Sequence, residues 1–301
     1  MTASYNLPRG ESLTTLPEAY LAALRPPAKE SGYYVVLLPG PDTEVDESSL
    51  VAATGSLNLK PEDLRRALAA AQPLPLARYA TSAEAGAIAE CWRSLGIASA
   101  VVSHDDLHLE APETKIRALE CSGDSLTAIS TLGRTRISFE WRDVTLLVAG
   151  RLLSKRVEVE ERGRGVRKQT VDSRHLSSDE SVLDIYFGND PANWRIITGA
   201  FDFSCLGPAK AVTTFQNFAA LIGFLRERAP TAHFDDSYVR VRPLLESLWP
   251  LGQQVDKSAQ RRSGASKFDS ATVTTTDNEG QFTRYSRLRY CLSLLELKER
   301  R

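Results

Sequence analysis

Cysteine is scarce in this 301-residue chain: Cys91, Cys121, Cys205 and Cys291 stand far apart, and no two form a CxxC pair. That spacing excludes zinc-ribbon and thioredoxin-like arrangements, which need closely spaced thiols. An excess of charge of one sign is missing too. Against 37 Lys and Arg stand 38 Asp and Glu, a net charge of −1, so the whole molecule carries no field that draws it to nucleic acid. No apolar run reaches the length of a membrane span. The N-terminal stretch holds Pro8, Pro17, Pro26 and Pro27 without an apolar h-region, so neither a signal peptide nor a transmembrane segment is expected. Cys91 and Cys205 lie in apolar company, which fits free thiols in a reducing cytoplasm. Motifs of known chemistry are absent as well. There is no GxSxG elbow, and Gly163-Arg164-Gly165 lacks the strand–loop–helix setting of a nucleotide fingerprint. Neither catalytic residues nor a cofactor are assigned.

What is present is clearest between Tyr33 and Ser103. Tyr33 to Leu38 is a short apolar run stopped by Pro39-Gly40-Pro41, a buried strand ending in a turn. Asp46 precedes a short helical pattern that halts at Gly55. Pro61, Glu62 and Asp63 suit the first turn of a second helix, whose apolar face is Leu64, Ala67, Leu68 and Ala71. Pro75 allows Leu74–Tyr79 only an edge strand. Thr81 and Glu84 make a capping box for a third helix, with Ala85, Ile88, Trp92 and Leu95 on one face and Gly96 at the left-handed C-cap. Ile97 to Ser103 is another strand.

The resulting order is strand, helix, helix, strand, helix, strand. Together with Ala53-Thr54-Gly55 before the second helix and Thr81-Ser82-Ala83-Glu84-Ala85 opening the third, it resembles the C-terminal domain of the ribosomal stalk protein, a fold shared by the Clp protease adaptor. The resemblance implies a non-catalytic binding module. The stalk domain's lysine-rich face is not matched, since only Lys60, Arg65, Arg66 and Arg78 are basic here.

Beyond Leu107 the pattern changes to short strands. Ile116–Glu120 and Leu126–Ile129 flank a hairpin turn at Cys121–Ser125, and Arg136–Trp141 alternates with period two. Val144–Val148, Leu152–Val159, Val182–Phe187, Trp194–Ile197 and Phe201–Leu206 read as further strands, with a charged loop before Val182. A helix with Phe215, Phe218, Ile222 and Leu225 on one face closes the run, and Pro230 lies beyond its end. This order of elements, from about Leu107 to Arg228, resembles a pleckstrin-homology-like barrel. A short helix is expected to start near Pro243, and Gln253–Phe268 reads as a polar linker. The end of the chain fits a strand through Leu288, Tyr290, Leu292 and Leu294, or a helix through Tyr285, Leu288, Leu292 and Leu295.

Four groups of residues are candidates for chemistry. His104-Asp105-Asp106-Leu107-His108 would place two imidazoles four apart if helical, as zinc ligands are, but the preceding strand favours an Asp-rich turn and no metal is assigned. Between Arg151 and Lys168 basic residues are densest. Arg162, Arg164, Arg167 and Lys168, punctuated by Gly163 and Gly165, form a candidate phosphate-binding set for an anionic membrane surface or nucleic acid. Glu158, Glu160 and Glu161 dilute its field, and a solvated hairpin explains the same residues. Asp184, Asp202, Asp235 and Asp236 could support acid–base catalysis if the fold converged them, while outward-facing strand positions account equally for Asp184 and Asp202. Trp141, Trp194 and Trp249 could stack a ligand or fill a core.

The sequence therefore predicts an α+β protein: a small βααβαβ module, then an antiparallel β-rich, barrel-like domain capped by a C-terminal helix. The divisions are 1–32 as a Pro-containing extension, 33–105 as the small module, 106–250 as the β domain, and 251–301 as a polar linker and C-terminal element. The function expected first is a non-catalytic cytoplasmic interaction protein with a protein partner. A phosphate-directed binder acting through 151–168 and an enzyme with an acidic site are the alternatives.

Overall fold

Five consecutive apolar residues, Tyr33–Leu37 (β1), form the middle strand of the first unit's sheet, and Tyr34 to Leu37 are all buried. The computed structural model describes residues 31–38, 45–55, 60–131, 135–162, 169–188, 190–256 and 270–299. Two compact units divide the chain, Met1–Asp106 and Leu107–Arg301. In the first, helices Glu47–Gly55 (α1) and Pro61–Ala69 (α2) follow β1. Strand Leu74–Tyr79 (β2), helix Ser82–Ser94 (α3) and strand Ser99–Ser103 (β3) complete it. The sheet order is β2-β1-β3, antiparallel throughout, so Pro75 sits in an edge strand.

Local chemistry sets the ends of α3. Thr81 Oγ1 accepts the Glu84 main-chain N–H at 3.2 Å and the Glu84 carboxylate accepts that of Thr81 at 2.9 Å, while Gly96 takes φ +78° beyond the C-terminus. Ile88 and Trp92 are fully buried, and the Trp92 indole N–H reaches the Ala53 carbonyl at 3.4 Å, tying α3 to α1.

The second unit is one mixed sheet with helices on both faces. In chain order its strands are Glu113–Cys121 (β4), Ser125–Ser130 (β5), Arg136–Glu140 (β6), Val144–Arg162 (β7), Gln169–Phe187 (β8) and Asp190–Ile197 (β9). Helix Thr214–Arg228 (α4), strand His233–Asp235 (β10), helix Tyr238–Leu245 (α5), strands Gly252–Asp256 (β11) and Ser270–Asp277 (β12), and helix Glu279–Glu299 (α6) follow. The path β11-β12-β7-β8-β9-β4-β5-β6 is open, with β10 joined to β7. The barrel-like closure expected from the strand order is not formed. Parallel pairing of β4 with β9 and of β10 with β7 also breaks the expected antiparallel run.

One face carries Leu147, Ala149, Leu183, Ile185, Trp194 and Ile196 against Phe218, Leu221 and Leu225 of α4. Phe215, expected on that stripe, is 72 % exposed, because the buried face runs through 218, 221 and 225 instead. Residues of α6 cover the other face, with Phe282, Tyr285, Leu288, Tyr290 and Leu292 buried at helical spacing. Gly150 permits this approach, since a Cβ there would lie 2.5 Å from the Phe282 ring. The helical alternative thus holds for the end of the chain, and 270–299, expected as linker and terminal element, supplies a strand and a core helix.

Three local expectations are corrected. Phe203–Ala209 is a 3₁₀ segment rather than a strand: Asp202 Oδ1 accepts the Ser204 N–H at 3.0 Å, and Gly207 turns at φ +51° before Pro208. Pro243 lies inside α5, not at its start. The charged stretch before Val182 is largely strand, because β7 and β8 pair over their full lengths, up to Arg162 opposite Gln169.

Candidate functional site

Two of the dispersed acids of the sequence, Asp184 and Asp235, enter separate ion-pair systems between the second unit's sheet and α6. Asp184, for which an outward strand position and a convergent acidic site are equal readings of the sequence, is fully buried and faces Arg195, itself 1 % exposed. The pair is bidentate. Arg195 Nε and Nη2 donate to Asp184 Oδ1 and Oδ2, both at 2.7 Å, a geometry that matches guanidinium to carboxylate. Arg195 Nη1 lies 2.6 Å from Glu113 Oε2 and donates to Thr283 Oγ1 at 3.1 Å. Burial lowers the Arg195 pKa, and the adjacent Asp184 and Glu113 carboxylates more than reverse this. Glu113 is raised by burial, against the attraction of Arg195. Lys115 and Glu279 pair at 3.1 Å and extend the system to the surface.

The second system surrounds Asp235. Its Oδ1 accepts the Ser237 main-chain N–H and its Oδ2 the Tyr285 hydroxyl, both at 2.7 Å, with Arg289 Nε at 2.6 Å. Asp202 caps the 3₁₀ segment and Asp236 is exposed. The four acids are therefore not brought to one place. Arg195, Glu113 and Arg289, which complete these systems, escaped sequence reasoning because they carry no motif, and Glu113 and Arg289 also lie far from the acids along the chain.

Other candidates resolve as parts of the fold. His104 Nδ1 is 3.1 Å from the Tyr34 hydroxyl, Asp106 accepts the Ser103 N–H, and His108 sits at φ +46° after a 3₁₀ turn, Asp105–Leu107, rather than on a helix. Among the described residues no group of three or more His, Cys, Asp and Glu is placed to hold a metal. Trp141, Trp194 and Trp249 are buried. Of the basic set, Arg164, Arg167 and Lys168 lie outside the described residues, as do Gly163 and Gly165, and Arg162 ends β7. Earlier in that region Arg151 pairs with Asp179 at 2.8 Å and Arg156 with Glu158 at 2.9 Å.

An unanticipated surface is built by the long hairpin. β9 pairs with β8 only over 182–187, so among the described residues His175–Asp179 have a ladder neighbour on the β7 side alone. All five are exposed, Leu176 by 56 %. On the opposite side β12 and the outermost β11 extend this part of the sheet into a four-stranded wing, and every residue of β11 is exposed. Asn278 anchors it. Its Oδ1 accepts the Leu153 N–H at 2.7 Å and its Nδ2 donates to the Arg151 carbonyl at 3.0 Å, filling the stretch of β7 edge between β10 and β12. At the base of the wing lies a groove of ≈ 540 Å³, whose lining includes Lys155, Arg242, Asp179, Glu246, Leu251 and Thr276. Its charges are of both signs, which suits polar recognition better than capture of an anion. No helix among the described residues is long and apolar enough to cross a membrane. Comparison with family models, with curated proteins and with solved structures returns no match, so the functional reading of this chain rests on the geometry above.

Proposed function

We propose that this protein is a non-catalytic interaction protein that binds an extended segment of a protein partner at the outer edge of β8. The carrying observation is the run His175–Asp179: consecutive exposed strand residues with, among the described residues, a ladder on one side only. Such an edge offers main-chain donors and acceptors on alternate residues, the arrangement that strand addition uses. Its neighbours reinforce the reading. The wing is fixed to the core through Asn278, and the adjoining groove begins at Ser177, Ser178 and Asp179. Asp184 and Asp235, which an acidic catalytic site would have needed, are fixed by arginines.

The test is affinity capture from the native cell with the wild-type chain and with a Leu176→Lys, Ser177→Pro double variant, the N–H of Ser177 being one that faces away from β7, read by mass spectrometry. A partner retained from about 0.15 to 0.5 M salt by the wild type and lost by the variant, with the thermal transition unchanged, is expected. Capture that falls steeply with salt and depends on Arg162, Arg164, Arg167 and Lys168 instead of the β8 edge would favour the phosphate-directed reading.

A further inference from the structure

Arg287 is the other guanidinium enclosed between α6 and the sheet, at 1 % exposure. Asp184 and Glu113 both serve Arg195, and among the described residues no carboxylate pairs with Arg287. Its Nη2 donates to the Ala111 carbonyl at 3.0 Å and to Asn193 Oδ1 at 2.9 Å, and the guanidinium lies 5.7 Å from the centroid of the Tyr186 ring. Nη1 is buried without any acceptor. Two neighbours share this condition. Asn193 Nδ2, on the amide already bonded to Arg287, and the hydroxyl of Tyr290, one turn further along α6 and stacked on Tyr186 at 4.7 Å, are also buried without a partner. Asn193 is 2 % exposed and Tyr290 1 %.

Buried polar groups in folded proteins nearly always have partners, and a buried charge without one is the costliest exception. The unused capacity here is almost wholly of one kind: two N–H of Nη1, two of the Asn193 amide and one phenolic O–H. A set dominated by donors around a desolvated cation calls for an occupant that accepts. We infer that the Arg287–Asn193–Tyr290 nook binds a small monovalent anion of halide size. One negative charge balances the single guanidinium, whereas the carboxylates of Asp184, Glu113 and Asp190, the last acting on Tyr290, disfavour a dianion. This site is independent of the β8 edge.

The experiment uses the full-length protein. Its melting temperature is measured in chloride, bromide, nitrate and gluconate at equal ionic strength, and crystals grown in sodium bromide are examined by anomalous diffraction. The expected result is a saturable rise with the three small anions, absent in gluconate, and a bromide peak in contact with Arg287 Nη1 and Asn193 Nδ2. Tyr290→Phe keeps the ring stack and removes one donor, so it should weaken the apparent bromide affinity by about tenfold while the fold persists. Asn193→Asp supplies an internal carboxylate and should abolish the anion dependence. A water in place of bromide, or melting temperatures indifferent to the anion, would overturn the inference.

Discussion

At the scale of single residues, two opposing effects meet in Glu113. Burial raises its carboxyl above the ordinary value of 4.5, while the neighbouring Arg195 draws it down, and burial prevails. The sign of the consequence follows by linkage. Below 4.5 both folded and unfolded chains hold the proton. As pH rises from there, the unfolded chain releases it first, so this residue's contribution to stability declines until the folded carboxyl also ionises. Glu113→Gln removes that decline. The stability difference, variant minus wild type, should therefore grow as pH rises above 4.5 and then level off, measured by urea unfolding across the acid-to-neutral range. A difference that shrinks with pH would mean that the Arg195 attraction outweighs burial. Burial acts in the same direction on Cys121, packed against the core on the α4 side, whose thiol is pushed up to about 11, so it is not a ready nucleophile near neutral pH.

Among elements, β7 shows how one strand joins a packed sheet to an exposed wing. Its first half pairs with β10 and its second with β12 along one edge, and Asn278 bridges the interval. Asn278→Leu would leave the Leu153 N–H and Arg151 carbonyl unsatisfied, a cost of about 1–3 kcal/mol for each group that water cannot reach. Faster hydrogen exchange at the Leu153 amide, with the amides of Leu146–Val148 unchanged, is the expected readout. Equal acceleration throughout β7 would show that Asn278 supports the whole sheet rather than the junction.

For the whole molecule, the near-zero net charge matters most. With −1 overall, net charge gives association no long-range pull of either sign, and the charge pattern of the contacting surface carries the electrostatics. Replacing Arg162, Arg164, Arg167 and Lys168 together by serine should change stability by no more than about 0.5 kcal/mol per site and leave partner capture intact. Loss of binding to anionic vesicles or nucleic acid in this variant, with the fold retained, would move the function to the basic region.

Much of the first unit was legible in the sequence because its signals are local. Thr81, Glu84 and Gly96 fix the ends of α3 through bonds and backbone angles within a few residues of one another, and Trp92 falls on the buried stripe that its spacing indicated. The hairpin turn after Cys121 was readable for the same reason. Periodicity could not choose between the two forms of the last segment, since its apolar residues satisfy both, and the sheet face that buries Phe282, Tyr285 and Leu288 decided for the helix. Nor could it foresee that Asp184 points inward, because the residue that makes its burial tolerable, Arg195, comes from the neighbouring strand. The open sheet and the exposed edge at His175–Asp179 are likewise tertiary facts. They depend on which strands pair and over what length, and those pairings join residues far apart in a sequence whose local pattern records only that each segment can be a strand.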